Sequence, residues 1–103
     1  MSCAQVNREK EKATVILQTD LVAVSTAELR PIFLNLIKDG VTSLWLDMTA
    51  AKKIDSQGIS ILVASCNSLD AVHGELVLFG VSAPIVSLFQ TLQLSRKFKI
   101  NPA

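Results

Sequence analysis

A carboxylate, a hydroxyl, an amide and a glycine follow one another at Asp55, Ser56, Gln57 and Gly58. They stand where a predicted loop ends and an apolar helix begins. Free backbone N–H groups and the helix dipole at such a position stabilise an anion, including a phosphate group attached to a serine. Asp and Ser are also ordinary helix-capping residues. The pattern alone is therefore compatible with a plain helix cap or with a modification site.

A hydrolase would use Ser56 as nucleophile and His73 as base, with Asp47 or Asp55 orienting the base. The chain has no Gly-x-Ser-x-Gly motif. His73 would lie more than about 20 Å from Ser56 along a regular helix, and it suits the C-terminal end of that helix better. We therefore expect no catalytic residues and a protein that is not an enzyme.

The composition excludes several kinds of site and partner. The single histidine among 103 residues cannot supply the two imidazoles of most catalytic zinc sites, and we expect no metal and no cofactor. Ten Lys and Arg against nine Asp and Glu give a formal charge of +1, too small to track a nucleic-acid backbone. The basic run of Arg96, Lys97 and Lys99 is interpreted as a solvated end.

The cysteines and the apolar runs bear on location. Cys66 lies among apolar residues at helical spacing and is interpreted as a small buried hydrophobe, whereas Cys3 is interpreted as a free thiol. No secretory leader precedes them. No apolar run approaches the roughly 18 to 20 residues that cross a bilayer. The sequence thus predicts a cytoplasmic protein without a membrane span.

Four strands must carry these residues. A strand near residues 3–7 and a second over 13–18 form a predicted hairpin around a charged turn at residues 8–12. Residues 44–48 form a nearly continuous apolar strand, typical of one that is covered on both faces. Residues 76–79 form another strand, which Gly80 is expected to end.

The first helix is predicted from the capping-box pair Ser25 and Glu28 to a stop at Gly40. Because Pro31 would remove a backbone hydrogen bond, we expect this helix to begin late or to kink. Its apolar face is formed by Leu29, Ile32, Phe33, Leu36 and Ile37.

The second helix follows residues 54–58 and is expected to close at Gly74, and the third begins at Ser82 and Pro84. The apolar face of the second comprises Ile59, Leu62, Val63, Cys66, Leu69 and Val72. The order of elements predicts one α/β domain over residues 1–103, with its core at about residues 13–98. Its sheet is mixed and mostly parallel, with four to five strands, an N-terminal hairpin and packed helices.

A hydrophobic strand ending near an Asp and, after a short loop, an Asp-Ser-x-Gly turn occupy residues 44–48 and 54–59. This arrangement resembles the signature of STAS domains, the family of bacterial anti-sigma factor antagonists. Residues 13–21, 25–40 and 74–80 resemble the family's second strand, first helix and glycine-then-strand segment. The resemblance covers about residues 14–98 and implies the STAS fold.

The resemblance also implies a phosphorylation-controlled binding protein, with Ser56 matching the family's phosphorylated serine. The unphosphorylated form would bind a histidine-kinase-like serine kinase that is also the anti-sigma factor, and would release it when Ser56 is phosphorylated. A metal-dependent phosphatase would reverse the mark. The partner-binding surface would comprise Asp55, Ser56, Gln57, Gly58, Ser60 and Asn67, with Val63 or Ala64 on the same face.

Several alternatives stay open at this point. Gln57 stands where the family often has a second hydroxyl, and Val22 stands near a usual acidic position, with Asp20 as a shifted acid. These departures keep a second hypothesis, a STAS subunit of a transporter or signalling assembly in which Ser56 is never phosphorylated. Gly58 either lets a partner approach or meets a packing requirement, and Asp55 either caps the helix or serves the partner or Ser56. We expect a monomer or a weak dimer.

Overall fold

A computed structural model of the chain describes residues 4–102. The predictions for Cys3 therefore lie outside the described residues. The elements in chain order are β1 (Ala4–Glu9), β2 (Lys12–Leu17), α1 (Ala23–Lys38), β3 (Ser43–Asp47), α2 (Ser56–Asp70), β4 (Glu75–Val81), α3 (Ala83–Thr91) and β5 (Lys99–Pro102). The predicted α/β class with an N-terminal hairpin is confirmed.

The five strands form one mixed sheet in the order β1-β2-β3-β4-β5, with β1 antiparallel to β2 and the other neighbours parallel. The three helical crossovers, which connect β2 to β3, β3 to β4 and β4 to β5, each advance by one strand in the same direction across the sheet. Because such crossovers are right-handed, all three helices lie on one face of the sheet. In β3, Leu44 and Leu46 are accordingly fully buried, whereas Trp45 between them is only half-buried. The prediction that β3 is covered on both faces is therefore wrong.

Helix α1 begins earlier than predicted. Its N-cap is Val22, and Ser25 occupies the third helical position instead of the cap. The Ser25 hydroxyl still serves the helix start, because it accepts a hydrogen bond from the Val22 backbone N–H at 3.0 Å. Pro31 lies exposed inside the helix and does not delay its beginning.

The ends of β1 and β2 also differ from the prediction. Both strands extend into the charged segment, and only Lys10 and Glu11 form the turn, with Lys10 at a φ of 55°. Helix α2 ends at Asp70, before Gly74, and His73 takes the left-handed conformation at a φ of 58°. Val72, predicted on the buried face, lies beyond the helix and is 47% exposed.

Gly80 does not end β4. It adopts a φ of 67°, and the register between β4 and β5 shifts at this point, between Phe79 and Val81. The strand continues to Val81 and pairs with β5, which no apolar pattern indicated. The basic residues Arg96, Lys97 and Lys99 are exposed as predicted, but Lys99 lies in β5 and donates a hydrogen bond to Glu75 at 2.6 Å.

One hydrophobic core lies between the helices and the covered face of the sheet. Phe33 of α1 and Phe89 of α3 are fully buried in it. Helix α3 begins as predicted, with Ser82 at the N-cap and Pro84 in its first turn. Cys66 is buried as predicted, and burial raises the pKa of its thiol, which favours the unreactive protonated form.

Candidate functional site

Asp55 is the N-cap of α2 and holds the turn in which Ser56 lies. One carboxylate oxygen, Oδ1, accepts hydrogen bonds from the backbone N–H groups of Gln57 at 2.9 Å and Gly58 at 3.0 Å. These donors satisfy the charged form of the carboxyl. The Gly58 N–H above all, with those of Ala23 and Gln57, lowers the pKa of Asp55 against the opposing effect of burial. The helix-cap interpretation of Asp55 is therefore confirmed.

The second oxygen of the same carboxylate reaches another helix. Oδ2 of Asp55 accepts a hydrogen bond from the backbone N–H of Ala23, the first residue of α1, at 3.0 Å. One side chain thus caps two helices and brings their amino ends together. The two residues are 32 positions apart, so a search for local capping patterns misses this contact.

The loops before the two helices are joined by backbone pairing. Leu21 and Ile54 form a parallel β-bridge, and the Leu21 N–H donates to the Lys53 carbonyl at 3.0 Å. The Asp20 carboxylate accepts from the backbone N–H groups of Lys52 at 2.8 Å and Lys53 at 3.0 Å. The shifted acid therefore fixes the loop that leads into the turn.

Gly58 has a packing role. It is buried in the first turn of α2. A Cβ atom on Gly58 would lie 2.3 Å from the Leu21 carbonyl oxygen and 2.8 Å from Cγ1 of Ile54. The packing alternative thus accounts for the presence of glycine at this position.

The predicted surface residues of α2 share one exposed stripe. Ser56 is exposed at the first position of the helix, and Val63 is half-buried at its margin. Spacings of three and four residues place side chains on one helical face. We name as the α2 stripe the exposed residues Ser56, Gln57, Ser60, Ala64 and Asn67.

Two residues near this stripe were not predicted as site residues from the sequence. Lys97 donates from Nζ to Oδ1 of Asn67 at 2.8 Å and adds positive charge at the far end of the stripe. Val24 is 86% exposed on the first turn of α1, next to the Ala23 N–H that Asp55 holds. An exposed valine beside the site is a usable contact for a partner, yet its exposure is visible only in three dimensions.

The structure does not bring the residues of the hydrolase alternative together. His73 lies beyond the opposite end of α2, about 25 Å from Ser56 at 1.5 Å per helical residue. The Asp47 carboxylate is engaged by the backbone N–H of Thr49 at 2.9 Å and its hydroxyl at 2.6 Å. Ser56 thus has neither a base nor an orienting acid from this set.

Residues 4–102 hold neither a metal-ligand cluster nor a membrane-spanning helix. In that part of the chain, no three or more His, Cys, Asp or Glu side chains lie together as metal ligands. Within the same range, every helix is too short or too polar to cross a bilayer.

Comparison with known proteins identifies relatives of this architecture. The family model of the STAS domain matches residues 5–103. An anti-sigma-B factor antagonist of Listeria monocytogenes is 37% identical over 65 residues, which are 63% of this chain and 56% of that protein.

Solved structures show the same fold. The unphosphorylated anti-sigma factor antagonist SpoIIAA is similar over 97% of this chain and 88% of that one, with a TM-score of 0.80 and 20% identity. The phosphorylated form of the Bacillus protein SpoIIAA is similar over 94% and 89%, with a TM-score of 0.77 and 20% identity. Likeness at this level of identity concerns the fold.

Proposed function

The chain belongs to the STAS domain family, and from this premise we propose that it is a phosphorylation-controlled binding protein of the anti-sigma factor antagonist type. In the proposed cycle the unphosphorylated chain binds a histidine-kinase-like serine kinase that is also an anti-sigma factor. Phosphorylation of Ser56 releases the complex, and a metal-dependent phosphatase restores the binding form. The chain itself would not be an enzyme, and it would act in the cytoplasm.

The observation that carries this proposal is the placement of Ser56. Its side chain is exposed at the first position of α2, in a turn that Asp55 and Gly58 hold by hydrogen bonding and packing. A kinase needs an accessible hydroxyl, and a binding partner benefits from a surface that is already ordered. Both requirements are met at the same residue.

The electrostatics of the turn explain how a phosphate would act. It would add about 1.5 to 2 negative charges beside the Asp55 carboxylate. The two helix amino ends that meet at Asp55 favour negative charge, so the phosphorylated chain keeps its fold. A partner that docks on the turn meets new bulk and charge, and its affinity falls.

The proposed contact surface combines the α2 stripe with the amino end of α1. Asp55 joins the two, and Val24 offers an apolar contact next to the phosphorylated position. An apolar side chain that is exposed in the free chain loses contact with water when a partner covers it, which favours binding. We therefore add Val24 to the proposed partner-binding residues Asp55, Ser56, Gln57, Gly58, Ser60 and Asn67.

The first prediction tests the switch. Incubation of the chain with ATP and the kinase encoded beside it adds one phosphate, which mass spectrometry finds on Ser56. The Ser56→Ala variant stays unmodified, while Ser60→Ala, one turn along the same stripe, is still phosphorylated. Binding of Ser56→Asp to that kinase, measured by calorimetry, is at least about tenfold weaker than that of the wild type because of charge at the interface.

The matched control is Ser87→Asp, which adds the same charge at an exposed position of α3. It binds the kinase like the wild type. Equal affinities of wild type and Ser56→Asp would contradict the switch. An unmodified chain that nevertheless binds tightly would favour the second candidate function, a permanent STAS subunit of a transporter or signalling assembly. Gln57 supports this candidate because it stands where the family often has a second hydroxyl.

A further inference from the structure

The face of the sheet opposite the helices is open. Side chains paired across the strands share a face, so the register places Lys12, Ser43 and Glu75 side by side on it. Trp45 and Phe79 lie on the same face and contact each other at 6.1 Å between ring centroids. None of the helices in the described chain lies on this side, and both rings are only half-buried.

One row of side chains crosses all five strands at the amino ends of the parallel ones. Glu9 pairs with Lys12, Lys12 with Ser43 and Ser43 with Glu75. Lys99 of β5 pairs in register with Val77, and its side chain extends the row because its Nζ reaches Oε1 of Glu75 at 2.6 Å. From β1 to β5 the charges of this row are negative, positive, neutral, negative and positive.

When a second copy of the row is reversed end to end and laid on the first, each charged position faces a position of opposite charge. A two-fold axis that runs along β3, between two stacked sheets, produces this reversal. Lys12 then lies opposite Glu75 of a second copy, and Glu9 lies opposite Lys99 of that copy. Every charge in the row meets an opposite charge, and each pair occurs twice.

The middle of the open face is suited to the same packing. Trp45 lies at its centre, with Phe79 against it and the Lys12 amino group 4.4 Å from the centre of its ring. Ile16 of β2 is half-buried on the same face, whereas Val77 of β4 is already buried. An apolar centre with charged residues at its margin is the usual composition of a protein interface.

We propose that the open sheet face binds a second copy of this chain, as a symmetric dimer of stacked sheets. Twisted sheets stack with their strands at about 30° to each other, which keeps β3 and its neighbours in closest contact, so the inner Lys12–Glu75 pairs lie closer together than the Glu9–Lys99 pairs at the corners. Five strands about 4.8 Å apart and about 17 Å long offer roughly 400 Å² of sheet for each copy. The two copies together would bury roughly 800 Å², less than the about 1,200 Å² of stable specific interfaces, so we expect a weak and transient dimer.

The second prediction follows from the reversed charge order and is tested by sedimentation velocity over a series of concentrations. The wild type shifts from monomer to dimer as its concentration rises. Lys12→Glu and Glu75→Lys each raise the dimer dissociation constant about tenfold, because each replaces two attractive pairs with two repulsive ones. An equimolar mixture of the two variants dimerises again, because the carboxylate introduced at position 12 of one chain then faces the ammonium group introduced at position 75 of the other.

Recovery in the mixture separates this interface from simple loss of structure, since mixing cannot repair two damaged folds. The control variant Leu34→Ser changes an exposed apolar residue of α1, on the helical side, and leaves self-association unchanged. A wild type that stays monomeric at every concentration, or a mixture that stays as monomeric as its components, overturns the proposal.

Discussion

At the scale of single residues, Asp55 joins two helices, although its place in the sequence indicates only a cap of α2. Its two carboxylate oxygens accept three backbone hydrogen bonds, two from α2 and one from α1. These donors lower the pKa of Asp55 relative to an unfolded chain. A carboxyl whose pKa is lower when folded stabilises the fold above its unfolded pKa, and that contribution is lost as the pH falls through the folded pKa.

The third prediction is that Asp55→Asn destabilises the protein at neutral pH more than at acid pH. The asparagine keeps one acceptor oxygen for Gln57 and Gly58, but its amide N–H group then faces the Ala23 N–H, so the urea midpoint at pH 7 is lower than that of the wild type. The gap between the two midpoints is smaller at a second, acid pH below the ordinary pKa of an aspartate, because the stabilisation by the Asp55 carboxylate is lost as the pH falls through its lowered pKa.

The matched control is Asp70→Asn, which removes the same charge at the other end of α2, where Asp70 is exposed. The difference in urea midpoint between Asp70→Asn and the wild type does not shrink in the same way at the acid pH. A gap between wild type and Asp55→Asn that is equal at both pH values would contradict the role of the Asp55 carboxylate.

At the scale of elements, the start of α2 is fixed against the loop that precedes α1. Gly58 allows this contact, because a Cβ there would lie 2.3 Å from the Leu21 carbonyl oxygen. The obstacle is backbone and not the end of a flexible side chain. The helix cannot take a larger residue without moving away from residues 20–22.

The fourth prediction is that Gly58→Ala destabilises the protein, although alanine favours helices by up to about 1 kcal/mol over glycine. Overpacking against a backbone atom costs more, and we expect a net loss of about 1 to 2 kcal/mol in the free energy of unfolding. Urea denaturation measures it. The control Ser60→Ala, exposed on the same helix, leaves the stability equal or slightly higher. Gly58→Ala as stable as the wild type would contradict the packing role.

The elements differ in how far the sequence predicts them. Helix α2 and the strands β3 and β4 carry long apolar patterns, which local periodicity detects. The beginning of α1 was missed because its external cap is the distant Asp55 carboxylate instead of Ser25. Strand β5 was missed because its four residues contain a single large apolar side chain, Ile100, and its pairing with β4 is non-local.

The candidate site was predictable to a similar extent. The residue order Asp55, Ser56, Gln57 at a helix start indicated both the cap and the exposed turn, and the structure gives these residues those positions. Val24 and Lys97 come to the site from other elements, through helix packing and the segment after α3. The packing role of Gly58 could not be predicted either, because its close neighbour Leu21 is brought to it by tertiary contacts and not by the turn itself.

At the scale of the whole molecule, the two proposed surfaces lie apart. Ser56 follows the carboxyl end of β3, on the side of the helices, whereas the charged row lies at the amino ends of the strands on the open face. A dimer of stacked sheets therefore leaves both Ser56 turns accessible. Such a dimer presents two equivalent binding sites to a partner.

The fifth prediction is that the two surfaces act independently. Ser56→Asp leaves the dimer dissociation constant within about twofold of the wild type, because the added charge lies away from the interface and is screened over about 10 Å in ordinary buffer. Conversely, Lys12→Glu leaves kinase binding unchanged. Sedimentation and calorimetry on the same two variants test both statements, and a large change in either would show that the surfaces are coupled.

The position of Trp45 gives the chain an optical reporter. It is the one tryptophan of the sequence, which also lacks tyrosine, so ultraviolet emission excited at long wavelength comes from this indole alone. The ring lies half-buried on the open face, beneath the Lys12 amino group. Its emission therefore reports the solvation of that face without a label. It does not respond to changes at the Ser56 turn that leave the face unchanged.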